Sequence, residues 1–147
     1  MAEQKLCTFF VNEIYFGIDI KYVQEVIRSQ VMTHVPLAPP DICGLINLRG
    51  QILTAIDLQR RLEMGESFMR STAKFVDEVQ GFNIVVCSED EEVSLLVDEV
   101  GDVLEFTTKT FQPPPATLKG KMRQMLAGAY PLEEGFVLVL DIKKILN

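Results

Sequence analysis

The apolar positions of this chain fall in short runs, and most of them alternate. "KLCTFFVNEIYFGID" reads as two strands around a turn at Asn12-Glu13, and "FNIVVCSEDEEVSLLVD" repeats the arrangement around an acidic stretch. Further on, "GLINLRGQILTAIDLQRRL" (Gly44 to Leu62) carries two apolar runs, Leu45–Leu48 and Ile52–Leu58, which suit buried strands. Asn47, Arg49, Gly50 and Gln51 interrupt them, with Gly50-Gln51 the expected hairpin turn. Asp57 in the first half and Asp141 in the second each end a strand and precede a short helical tail, "LQRRL" and "IKKIL", as N-caps do. Asp19 is expected to cap a short helix with Ile20, Val23 and Val26 or Ile27 turned inward, and Val97–Val103 to form a matching helical turn. "HVPLAPPD" and "FQPPPA" cannot sit within a sheet, because proline lacks the ladder donor, so both are connectors or edges. A helix is expected near Leu118–Leu126, interrupted by Gly120 and ending at Gly128.

The pattern occurs twice. "FGIDIKYVQEVIR" lies over "VSLLVDEVGDVLE" without a gap, bringing Gly17 onto Ser94, Val23 onto Val100, Glu25 onto Asp102 and Val26 onto Val103. "GLINLRGQILTAIDLQRRL" lies over "GAYPLEEGFVLVLDIKKIL", bringing Asp57 onto Asp141 and Leu62 onto Leu146. Residues 16–62 thus resemble residues 93–146, which predicts an internal duplication of a mostly β unit within one domain spanning 1–147. Copies of about five short strands each suggest two small packed barrels rather than one large sheet. Only Asn47 and Arg49 of the central stretch lack a counterpart of like chemistry, for Pro131 and Glu133 stand in the other copy.

Composition narrows the function. A length of 147 residues, 48% hydrophobic and 24% charged, is that of an ordinary globular protein. The longest aliphatic run, Phe136–Leu140, is far short of the roughly 20 residues that span a bilayer. "MAEQKLCTFF" lacks the features of a signal peptide, so the expectation is a soluble intracellular protein. Residues 1–73 hold 8 acids and 7 bases, and residues 74–147 hold 13 acids and 7 bases. That acidity, concentrated in "SEDEEV", is the opposite of a phosphate-tracking surface, and nucleic acid is not expected as a partner.

Candidate chemistry is sparse. Cys7, Cys43 and Cys87 are far apart among apolar neighbours and read as buried reduced thiols. With His34 the only histidine and no Cys-x-x-Cys spacing, neither a zinc site nor any cofactor is expected. No phosphate-binding glycine pattern is present. The remaining enzymatic alternative is a small thiol-dependent barrel enzyme pairing Cys43 or Cys87 with His34; no catalytic residue is otherwise expected.

Four segments in order, "FGIDIKYVQEVI", "PPDICGLINLRGQILTAIDLQRRL", "SLLVDEVGDVLEF" and "GFVLVLDIKKIL", resemble the CheW family of bacterial chemosensory coupling proteins over essentially the whole chain. The resemblance implies a mainly β fold of two five-stranded SH3-like β-barrels related by a pseudo-twofold, with short helices. It also implies a cytoplasmic, non-enzymatic adaptor without direct membrane insertion, recruited to membrane-associated receptor arrays. Its partners would be the cytoplasmic tip of chemoreceptors (methyl-accepting chemotaxis proteins) and the regulatory domain of the histidine kinase CheA. At this length the expectation is the adaptor alone, without a receiver, kinase or phosphotransfer domain.

The residues matching the family's motif are Val23, Glu25, Gly44, Asn47, Arg49, Gly50 and Val103, expected to serve the receptor groove and the kinase contact. The helical turns at Ile20–Val26 and Val97–Val103 would be groove walls, although core packing is an equal reading for Val23 and Val103. Gly44 would admit a partner backbone or simply form a turn. Arg49 needs a carboxylate or carbonyl, and Glu25 is the expected internal partner, slightly ahead of direct contact with another protein. Lobes of unlike charge also allow self-association into open or ring-like assemblies. Thr54 and Ser94 depart from the family's usual proline and glycine.

Overall fold

The computed structural model describes residues 2–64 and 81–147. Among them, ten strands run in the order β1 (Glu3–Val11), β2 (Ile14–Asp19), β3 (Val23–Arg28), β4 (Ile42–Leu48), β5 (Gln51–Asp57), β6 (Phe82–Ser88), β7 (Glu91–Val97), β8 (Glu99–Thr107), β9 (Leu126–Pro131) and β10 (Phe136–Leu140). Short helices follow β5 (α1, Leu58–Arg61), precede β9 (α2, Gly120–Met125) and follow β10 (α3, Ile142–Leu146).

The strands form two five-stranded sheets of one design. The first has the order β8-β1-β2-β10-β9 and the second β3-β6-β7-β5-β4. Each joins an antiparallel trio to an antiparallel pair through one parallel contact, β2 with β10 and β5 with β7. Sequence-equivalent strands occupy equivalent places: β3 matches β8, β4 matches β9, and β5 matches β10. Neither sheet is built from one half of the sequence. The first takes β1 and β2 from the early half, and the second takes β6 and β7 from the late half. The bulges repeat too. Gln24 is the extra residue opposite β6, and the β1–β8 register slips at the matching Gly101-Asp102.

Inner strands such as β10 are buried on both faces, which is why "FVLVL" is apolar without alternation. Leu138 and Leu140 enter a core shared by the two sheets, with Phe9, Phe16, Ile56, Ile84 and Leu95. Val137 and Val139 turn the other way, into a smaller cluster with Leu6 and Tyr130. The second sheet has its own counterpart in Ile46, Leu53, Ala55 and Val85. Each fully buried large aliphatic or aromatic side chain stabilises the fold by roughly 1.5–3 kcal/mol, so the shared core binds the sheets strongly.

The prolines act as connectors, and each connector contributes one bridge. Thr33 pairs with Leu45 on β4, and Gln112 pairs with Ala129 on β9, each through two backbone hydrogen bonds of 2.8–2.9 Å. The segment following one edge strand thereby reaches the opposite edge of the same sheet. Gly44 and Gly128, equivalent in the repeat, make room for these crossings. A Cβ on Gly44 would stand 2.6 Å from the Thr33 carbonyl oxygen, and one on Gly128 would stand 2.5 Å from that of Gln112.

Local expectations fare unevenly. Asp19, Asp57 and Asp141 all cap as expected, accepting from the backbone N–H of Lys21, of Arg60, and of Lys143 and Lys144 respectively. The helix after Asp19 does not extend through Val26. One 3-10 turn, Ile20–Tyr22, leads directly into β3, and Val97–Val103 is likewise strand, broken only at Asp98. The spacing of valines fits a helical stripe and a strand equally well over so few residues; pairing with β6 and β1 decides for strand. Ile20 and Val26 are consequently exposed, not inward. The late helix begins at Gly120 instead of being interrupted there, and yields at Leu126 to β9. The acidic stretch is mostly strand, with only Glu89-Asp90 in a tight turn at positive φ. Cys7 is buried as expected, but Cys43 and Cys87 are only half-buried; none forms a disulfide.

Candidate functional site

Two strand-forming runs, β4 and β5, are joined by a two-residue turn. Its residues are Arg49 (φ 52°) and Gly50 (φ 84°), not Gly50-Gln51 as the sequence suggested. Positive φ at both positions suits the right-handed twist of a hairpin and is costly for a side chain such as arginine. Asn47 steadies the turn: its Oδ1 accepts from the Gly50 N–H at 3.0 Å. The hairpin tip therefore presents Arg49 from a defined backbone.

Glu25 comes from the opposite edge of the same sheet. It lies on β3 directly after the bulge at Gln24, and such a bulge re-aims the side chain that follows it. Both terminal guanidinium nitrogens of Arg49 donate to the Glu25 carboxylate, Nη1 to Oε1 at 3.3 Å and Nη2 to Oε2. The hydrogen bond and charge of Glu25 raise the Arg49 pKa above its ordinary value. The partners are unequally covered: the Glu25 side chain is 28% exposed and that of Arg49 is 70% exposed. The expected internal pairing is present, yet it leaves most of the guanidinium facing outward. Nearby on the same hairpin, Gln51 donates to Glu92 at 2.6 Å.

The other motif residues divide. Val23, at the start of β3, is half-buried and packs against the shared core. Gly44 is buried beneath Met32 and Thr33, so the backbone it admits belongs to this chain. Val103 is 61% exposed on β8, the corresponding edge of the other sheet. Glu25, Asn47, Arg49 and Gly50 thus come together, whereas Val103 lies on a different sheet.

Val26 and Ile52 are among the exposed apolar residues that escaped the sequence reading. Val26, the repeat counterpart of Val103, is 38% exposed because β3 is strand. Ile52, opposite Asn47 in the hairpin, is 66% exposed. The sequence carried a signal for neither: the apolar residues of "VQEVIR" do not alternate, and Ile52 lies inside an apolar run. The chemistry available here is recognition: a partly exposed guanidinium, a carboxylate, amide groups and exposed apolar side chains.

Among the described residues, no group of three or more His, Cys, Asp or Glu side chains is placed to hold a metal. His34 is exposed on the first proline connector, and Cys87 lies on β6. No helix among the described residues is long and apolar enough to cross a membrane.

Comparison with known proteins gives a consistent result. Residues 5–147 match the model of the CheW-like domain. The chemotaxis protein CheW of Treponema pallidum is 29% identical, over 97% of this chain and 82% of its own length. The CheW of Klebsiella aerogenes is 30% identical, over 98% of this chain and 82% of its own. The crystal structure of scaffolding protein TtCheW from Thermoanaerobacter tengcongensis superposes with a TM-score of 0.83 at 25% identity, covering 100% of this chain and 90% of that one.

Proposed function

The chain belongs to the CheW-like domain family, a family of chemotaxis adaptors, and from that premise we propose that it couples chemoreceptors to the histidine kinase CheA. In this reading it is a cytoplasmic, non-enzymatic adaptor without membrane insertion, recruited to receptor arrays. Residues 1–147 form one domain of two intertwined lobes that arose by duplication. The receptor's cytoplasmic tip and the kinase's regulatory domain are its partners, and unlike lobes permit self-association.

The observation that carries this reading is the geometry of Arg49. An arginine held by Glu25 with its side chain still 70% exposed, on a turn fixed by Asn47, is preorganised to take a further carboxylate or carbonyl from another protein. Glu25, Asn47, Arg49 and Gly50 form one contact, and Val103 with Val23 contributes apolar area at edge strands. Gly44 acts indirectly, by letting the connector close over β4.

Co-precipitation of the full chain with a receptor signalling-tip fragment and with the CheA regulatory domain tests it. Binding to both, reduced for each by competing unlabelled chain, is expected. Failure to bind either at micromolar concentration defeats the proposal.

A further inference from the structure

The two sheets share a hydrophobic core, and hydrophobic contact has no direction. Such a core holds two layers together but leaves their relative angle weakly specified. A directional cross-link between them is therefore informative, and Arg61 supplies one. It ends α1, which follows β5 of the second sheet. Its Nε donates to the carboxylate of Asp41, just before β4 of the same sheet. Its Nη1 donates to the backbone carbonyl of Ile145 in α3, which follows β10 of the first sheet. Helix carbonyls in a last turn lack partners within the helix, so this acceptor suits a cation.

The Arg61 side chain is well covered, at 15% exposure, and that of Asp41 is 23% exposed. Both contacts thus form in a setting screened from water, where the planar fork fixes direction as well as distance. The Asp41 backbone is anchored as well: its carbonyl accepts from the Asp57 N–H at 2.8 Å.

The internal repeat makes the contact more telling. Arg61 and Ile145 occupy equivalent positions of the two copies, so α1 and α3 meet through the same site in each. The anchoring is shared as well, for the Asp141 N–H donates to the Met125 carbonyl at 2.9 Å, as that of Asp57 does to Asp41. The charged side chains are not shared. Met125 and Ile145 stand where Asp41 and Arg61 stand in the other copy. What each sheet needs alone is present twice; the Arg61–Asp41 pair is present once, where the sheets meet.

We propose that Arg61, braced by Asp41, is a latch that sets the orientation of one sheet against the other by holding the α3 backbone. Since Glu25 and Val103 lie on different sheets, the latch also sets their spacing, a consequence that rests on the adaptor reading. The latch itself does not rest on it.

The test needs no partner. Residual dipolar couplings are measured on the uniformly labelled full chain for the parent, Arg61→Met and Asp41→Asn. In the parent, the strands of both sheets fit one alignment tensor. In Arg61→Met, which keeps the length of the side chain, each sheet still fits its own tensor well, but the two differ in orientation beyond fitting error. Asp41→Asn shifts in the same direction and by less. If Arg61→Met does not fold, Asp41→Asn decides alone. A single shared tensor of parental orientation in every folded variant overturns the latch.

Discussion

Arg49 and Glu25 meet across the width of one sheet, the first at the tip of the β4–β5 hairpin and the second on edge strand β3. Three strands, β6, β7 and β5, lie between β3 and β4 in the order of that sheet. The ion pair therefore reports that the sheet is curled enough for its two ends to approach. Exposed ion pairs add little to stability, since solvent screens them and two long side chains must be ordered. Arg49→Ala is accordingly expected to melt close to the parent while binding receptor or kinase fragments on the order of tenfold or more weakly. Titration calorimetry beside a thermal melt separates the two effects. Unchanged affinity for both partners would assign Arg49 to sheet closure alone.

The glycines at the crossings give a sharper stability prediction. Gly44→Ala and Gly128→Ala each force a Cβ against the carbonyl oxygen of a residue, Thr33 or Gln112, that a two-bond bridge holds in place. Each is expected to cost about 1–3 kcal/mol in urea unfolding, as overpacked sites do. Gly50→Ala meets nothing within 4 Å, so only its positive φ opposes the change, and a cost of about 1 kcal/mol is expected.

Removing the paired caps should have matching effects. Asp57→Ala and Asp141→Ala are each expected to lose about 1 kcal/mol, whereas Asp141→Asn keeps an acceptor and loses little. Denaturant midpoints at constant m-value check this. A cap that costs nothing in either lobe would contradict the hydrogen bonds to Arg60, Lys143 and Lys144.

Alkaline pH should weaken the first sheet. Burial raises the Cys7 pKa, and burial followed by the charge of Asp19 raises that of Tyr130. The phenol donates to Gln4 at 2.6 Å and stacks on Phe106. A folded-state pKa above the unfolded one favours the protonated fold. That contribution is complete below the ordinary values, 9.0 for Cys7 and 10.0 for Tyr130, and is lost as pH rises through the raised ones. Unfolding midpoints measured at rising pH should fall above pH 9, and Cys7→Ala/Tyr130→Phe should flatten that fall. In the parent at neutral pH, Cys7 should resist alkylation longest of the three thiols. Equal rates would contradict its burial.

The sequence by itself determined what short-range chemistry controls. Aspartates before helical tails became caps, proline runs became connectors, and alternating and continuous apolar runs became strands. The Arg49–Glu25 pair was legible as one of two readings, because a charge inside an apolar segment needs a partner either in this chain or in another. Only the tertiary structure decided which strands pair across the copies, so that β1 and β2 join β8 while β3 joins β6. No local signal carries that choice, since any apolar strand offers the same backbone donors and acceptors. The same long-range pairing turned Val26 outward, placed Gly44 under Thr33 and brought Arg61 to the Ile145 carbonyl. Each of these roles depends on what lies opposite in space, which a run of neighbouring residues does not encode.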